Sequence, residues 1–175
     1  MKPDWERSTR VCPSIDLQTD LLQALRELVE ARELGPVEAQ ALVCFETASR
    51  RTKKASLLMR MGGAAGHKTM MQAVIVTPTR IVWAQRADDG VPSAHTQLLS
   101  RLDVADFEKG PGAQVIPDRG LEVHGIEAMG GTVGTLFFGL GEGPDADHAR
   151  HVFKEAVRAS HGEGPAPGAR APAAG

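Results

Sequence analysis

The chain has 175 residues, of which 42% are hydrophobic and 24% charged, with a formal net charge of −2. That length fits about one domain, and the composition excludes a fully disordered chain, a collagen-like fibre and a membrane bundle. Two cysteines, Cys12 and Cys44, are too few for a disulfide framework.

Residues 1–13 are polar and contain proline, so a loose N-terminus is expected, without the apolar run of a secretory signal. Over 14–34, Leu17, Leu21, Ala24, Leu25 and Leu28 recur at helical spacing. Ser14 or Asp16 can cap this helix, and Gly35-Pro36 stops it. Its apolar stripe must be buried against a sheet or a partner; left exposed, it would imply a homo-oligomer or hetero-complex.

The pattern then becomes that of strands. Ala41 to Phe45 is short and apolar, which predicts a strand over about 40–49. Residues 50–68 form a basic, then glycine-rich, connection. Met70 to Thr77 is apolar on both faces, Thr77-Pro78-Thr79-Arg80 reads as a tight turn, and Ile81 to Ala84 is its hairpin partner. Further strands are expected at about 95–100, 102–108, 120–125 and 132–140. A final helix at about 145–160 presents Ala149, Val152, Phe153, Ala156 and Val157 on one face. Residues 161–175 are mostly Gly, Pro and Ala and read as a disordered tail.

Seven short strands followed by one amphipathic helix define a mainly β (α+β) chain. An antiparallel sheet curled into a partly open barrel, capped by the C-terminal helix over 37–160, would use that order. Two stretches carry a resemblance: Val74 to Trp83, an apolar strand, Thr-x-x-Arg turn and apolar strand; and Leu121 to Gly125 with Leu136 to Leu140 and the Phe153 helix. In these the chain resembles the bacterial branch of the pleckstrin-homology-like superfamily, including its GRAM-like members, over roughly 38–160. The helix at 14–34 departs from the minimal domain and is an addition. The resemblance implies a seven-stranded barrel that binds acidic lipids or peptides, or self-assembles, without catalysis.

Charge distribution points to the same part of the chain. Between Glu46 and Asp88 there is no acidic residue, while Arg50, Arg51, Lys53, Lys54, Arg60, Lys68, Arg80 and Arg86 bring a charge of +8. The rest of the chain is correspondingly acidic, which predicts a directional field unless the strands disperse these charges. Six of the eight, Arg50, Arg51, Lys53, Lys54, Arg60 and Lys68, lie in or beside the 50–68 connection, where lipid-binding members of the family carry their basic motif. They are the expected anion- or partner-binding residues, acting by attraction and by charge-assisted hydrogen bonds to carboxylate or phosphate. The partner expected is an acidic protein. The alternative is anionic lipid head groups at the inner face of the membrane, where each basic residue contributes about 1 kcal/mol and a second signal is needed. Leu57, Leu58, Met59, Met61, Met70 and Met71 would be that signal as an inserting tip, unless they continue a strand and fill the core. Nucleic acid is disfavoured, because Trp83 is the only aromatic among these basic residues and reads as core.

Other motifs carry no chemistry. Gly62 to Thr69 superficially matches a phosphate-binding loop, but His67 stands where glycine must precede the lysine, and a strand follows instead of a helix. His148 and His151 share a helix face without further ligands. Cys44 sits in an apolar strand as a small hydrophobe. His124 and Asp118 have no nucleophile beside them, and Asp103, Asp106 and Glu108 read as a solvated face. The expectation is a non-enzymatic, cytoplasmic binding or adaptor protein with no catalytic residue, cofactor or metal.

Overall fold

The computed structural model describes residues 5–52, 67–110, 118–127 and 131–162. Strand β1 spans Trp5–Val11 and is followed by a 3-10 turn at Ser14–Asp16 and helix α1 at Thr19–Ala31. Strands β2 (Val43–Arg51), β3 (Thr69–Val76), β4 (Arg80–Ala87) and β5 (Ser93–Leu98) complete an antiparallel sheet in chain order. A second antiparallel sheet contains β6 (Asp103–Asp106), β7 (Gly120–Glu127) and β8 (Val133–Gly139), and helix α2 (Pro144–Ser160) ends the fold.

The five-stranded sheet is covered on both faces, which is why β3 is apolar on both. Side chains alternate across a strand. Val74 and Val76, with Ile81 and Trp83 of β4, enter one core together with Leu121, Phe138 and Phe153. Ala73 and Ile75, with Val82 and Ala84, enter a second core beneath Leu21, Leu22 and Leu25 of α1. The layers are therefore α1, the five-stranded sheet, and the three-stranded sheet with α2. Burying each leucine of α1 contributes about 1.5–3 kcal/mol. The stripe expected to seek a sheet or a partner is satisfied by the chain's own sheet.

The hairpin between β3 and β4 forms as its residues predict. Thr77 Oγ1 accepts the Arg80 N–H at 3.1 Å, and the Thr77 N–H donates to the Arg80 carbonyl at 2.9 Å. Helix α2 also matches its pattern, starting with Pro144 after Gly143 at φ 105° and burying Ala146, Ala149, Phe153, Ala156 and Val157. Phe153 meets Phe138 edge-on, with ring centroids 6.0 Å apart.

Four expectations are corrected. Residues 5–11, expected to be loose, form β1, because Trp5, Arg7, Thr9 and Val11 alternate with exposed Glu6, Ser8 and Arg10 and pair with β2 throughout. The described residues thus hold eight strands, not seven, and these form two sheets that do not close into a barrel. The helix expected at 14–34 begins only at Thr19 and has no side-chain cap; Ser14 Oγ instead donates to Glu38 at 2.6 Å. Asp106, expected on a solvated face, is buried. Its carboxylate accepts from Lys154 Nζ at 2.9 Å and pairs with Lys109 at the same distance. Desolvation favours the neutral acid, but these ammonium groups outweigh it and hold the carboxyl at about 2. Asp103 is exposed, as expected.

Candidate binding site

The register between β2 and β3 decides which of the basic residues meet. It sets Arg50 opposite Thr69, and the Arg51 N–H donates to the Lys68 carbonyl at 2.8 Å. Arg50, Arg51 and Lys68 therefore share one rim of the five-stranded sheet. Arg50 and Lys68 are exposed; Arg51 is half-buried, its guanidinium 5.7 Å from the centre of the Trp5 ring. Lys53, Lys54 and Arg60 lie in sequence between these rungs but outside the described residues, as do Leu57, Leu58, Met59 and Met61.

The other two basic residues of the window do not join the rim. Arg86 turns to α1, where it pairs with Asp20 at 2.5 Å and donates to Gln18 at 3.2 Å. Arg80 opens β4 at the opposite end of the sheet, beside Leu98. Met71 belongs to the core side: it packs against the cluster beneath α1.

Two carboxylates temper the rim. Glu6 faces Arg50 across the β1–β2 ladder. Asp88, in the turn after β4 at φ 48°, accepts the Thr69 and Lys68 N–H groups at 2.9 and 2.8 Å and faces His67 at 3.3 Å. These bonds, the one from Thr69 foremost, hold the Asp88 carboxyl below its usual range. An acid that buttresses the backbone in this way fixes the start of β3, and with it the position of Lys68.

Next to the rim lies a cleft of about 710 Å³, lined by β1 from Trp5 to Thr9, by Asp118 and Arg119, and by Leu140 to Glu142. Its central group is Arg7, which the sequence analysis missed. The Arg7 guanidinium pairs with Asp118. Its Nε donates to Ser49 Oγ at 3.2 Å, and its Cζ lies 5.2 Å from the centre of the Phe137 ring. Burial lowers the Arg7 pKa to about 10, which leaves the group cationic at neutral pH. Gly139 makes this path available: a Cβ there would come within 2.6 Å of Arg7 Cζ. Gly141 likewise lets the chain cross β1, with its N–H donating to Thr9 Oγ1 at 2.8 Å. Sequence offered little signal for β1 or Arg7: only Trp5 and Val11 are apolar, with five polar residues between them, and the alternation along this strand is one of burial.

The remaining single residues stay separate. His148 and His151 are exposed on α2, and among the described residues no group of three or more His, Cys, Asp or Glu is arranged to hold a metal. Burial pushes the Cys44 thiol up to about 12, so it is not poised to attack a molecule arriving from solvent. His124 pairs with Thr135 on the three-stranded sheet at 2.8 Å. No described helix is long and apolar enough to cross a membrane. The chain matches no family model, no curated protein and no solved structure.

Proposed function

We propose that this chain is a non-catalytic, pleckstrin-homology-like adaptor that recruits an acidic protein partner through the rim where β2 meets β3. The observation that carries this reading is the ladder setting Arg50 opposite Thr69 and Arg51 against Lys68. It gathers three cations at the two ends of a connection that contributes Lys53, Lys54 and Arg60 in sequence. At the level of fold, what supports this reading is the mainly β chain of antiparallel strands ending in a C-terminal helix, not a closed seven-stranded barrel. Arg51 lies half-buried beside Trp5, whereas exposed Arg50 and Lys68 act by attraction.

Binding of fluorescent poly-glutamate, with phosphatidylserine vesicles in a parallel arm, tests the proposal at low and physiological salt. Poly-glutamate binding that weakens with salt and falls at least tenfold in an R50E/K68E variant is the expected result. Binding to the vesicles alone would replace the acidic protein with an anionic lipid surface. Failure to bind either, or binding unchanged in the variant, would refute the assignment of the rim.

A further inference from the structure

Cys12 and Cys44 are the only cysteines of the chain, and the fold brings them together. The β1–β2 register ends at Val11 opposite Phe45, so the next rung places Cys12 opposite Cys44. The Cys12 N–H donates to the Cys44 carbonyl at 3.1 Å, which extends the ladder by that rung. Residues of such a hydrogen-bonded pair on an antiparallel ladder share a face and hold their Cα atoms about 5.5 Å apart. A disulfide spans about 4.4–6.8 Å between Cα atoms, so the rung has the right dimension. Both side chains point to the α1 face, Cys44 within the second core and Cys12 at its margin.

We infer that Cys12 and Cys44 form a dithiol site that closes to an intramolecular disulfide with a low-molecular-weight disulfide as oxidant, stapling the end of β1 to β2 and closing a covalent loop around α1. Cys12 reacts first, because it is the more exposed of the two. Its thiolate attacks one sulfur of the small disulfide, releasing one small thiol and leaving a mixed disulfide on Cys12. Cys44 then attacks Cys12 Sγ, the second small thiol leaves, and the two protons lost by the cysteines end on the two released thiols. The protein is oxidised by two electrons and the small disulfide is reduced by two. Burial raises both thiols, Cys44 to about 12, so the closure is slow, and the buried Cys44 reacts only with Cys12 of its own chain.

The closed loop contains the whole of α1, because Cys12 precedes Thr19 and Cys44 follows Ala31. Closing a loop of this size restricts the unfolded chain, and the expected gain is a Tm rise of about 5–15 °C. Nothing in this site takes part in acidic-partner binding, so the two proposals stand or fall separately.

The full chain is incubated with oxidised glutathione, denatured, alkylated and weighed. The expected result is a monomer lighter by two hydrogens, with neither thiol alkylated and a Cys12–Cys44 cross-linked peptide in the digest. Reductant should restore both thiols and lower Tm again. A C12S or C44S variant should show no such loss of mass and no rise in Tm. Two alkylated thiols, a stable glutathione adduct on Cys12, or a disulfide between two chains would each overturn the site. A bond that forms without raising Tm would overturn the stapling.

Discussion

Replacing Gly139 with alanine tests the claim that an absent side chain, not a present one, sets the position of Arg7. The new Cβ would lie within 2.6 Å of Arg7 Cζ and 2.9 Å of Cδ, closer than any tolerated contact. The backbone at Gly139 is not left-handed, so steric overlap with Arg7 is the whole perturbation. Arg7 must withdraw, and Asp118 then loses its cation. Both side chains are nine-tenths buried, at 9% and 10% exposed. Breaking a fully buried pair costs about 3–5 kcal/mol, and at the lip of a cleft water recovers part of that, so about 2–4 kcal/mol is expected. For a chain of this size the loss lowers Tm by roughly 4–16 °C. Urea denaturation of the parent, G139A, R7A and the double variant closes a thermodynamic cycle. G139A should cost about 2–4 kcal/mol in the parent and under about 1 kcal/mol in the R7A background, where nothing remains to collide. A neutral G139A, or an equal cost in both backgrounds, would refute the reasoning.

Two further outcomes follow from the layers and the buried acid. Leu25 is fully buried between α1 and the sheet, so L25A should lose about 2–5 kcal/mol in chemical denaturation and loosen α1, with faster amide exchange over Thr19–Ala31. Asp106 is held at about 2 in the folded chain against an ordinary 3.8, so it contributes about 2 kcal/mol above its unfolded pKa, and this is lost as pH falls through about 2. Acid unfolding followed by circular dichroism should therefore show D106N less stable than the parent at neutral pH, with the gap narrowing from about pH 4 downwards.

Much of the fold is legible because it rests on local chemistry. The β3–β4 hairpin follows from Thr77 and Pro78, α2 from Pro144 and its spaced apolar residues, and the burial of Trp83 from its place in an apolar strand. Strand β1 is less legible. Its odd positions hold Trp5, Arg7, Thr9 and Val11, and a mixed set of that kind reads as polar until the cleft it lines is known. Asp106 escapes for a related reason: nothing near it in sequence announces that Lys154, on α2, will neutralise it.

The candidate site divides in the same way. A run of cations between Glu46 and Asp88 is visible in the sequence, but which of them share a rim depends on strand register. Register brings Arg50, Arg51 and Lys68 together, sends Arg80 to the far end and commits Arg86 to Asp20. The sequence by itself determined the periodicities, the turns and the segregation of charge, since each depends on residues within a few positions of one another. Only the tertiary structure decided the pairs: Arg7 with Asp118, Asp106 with Lys154, Cys12 with Cys44. Each joins residues distant in sequence, and strand order and helix packing alone place them side by side.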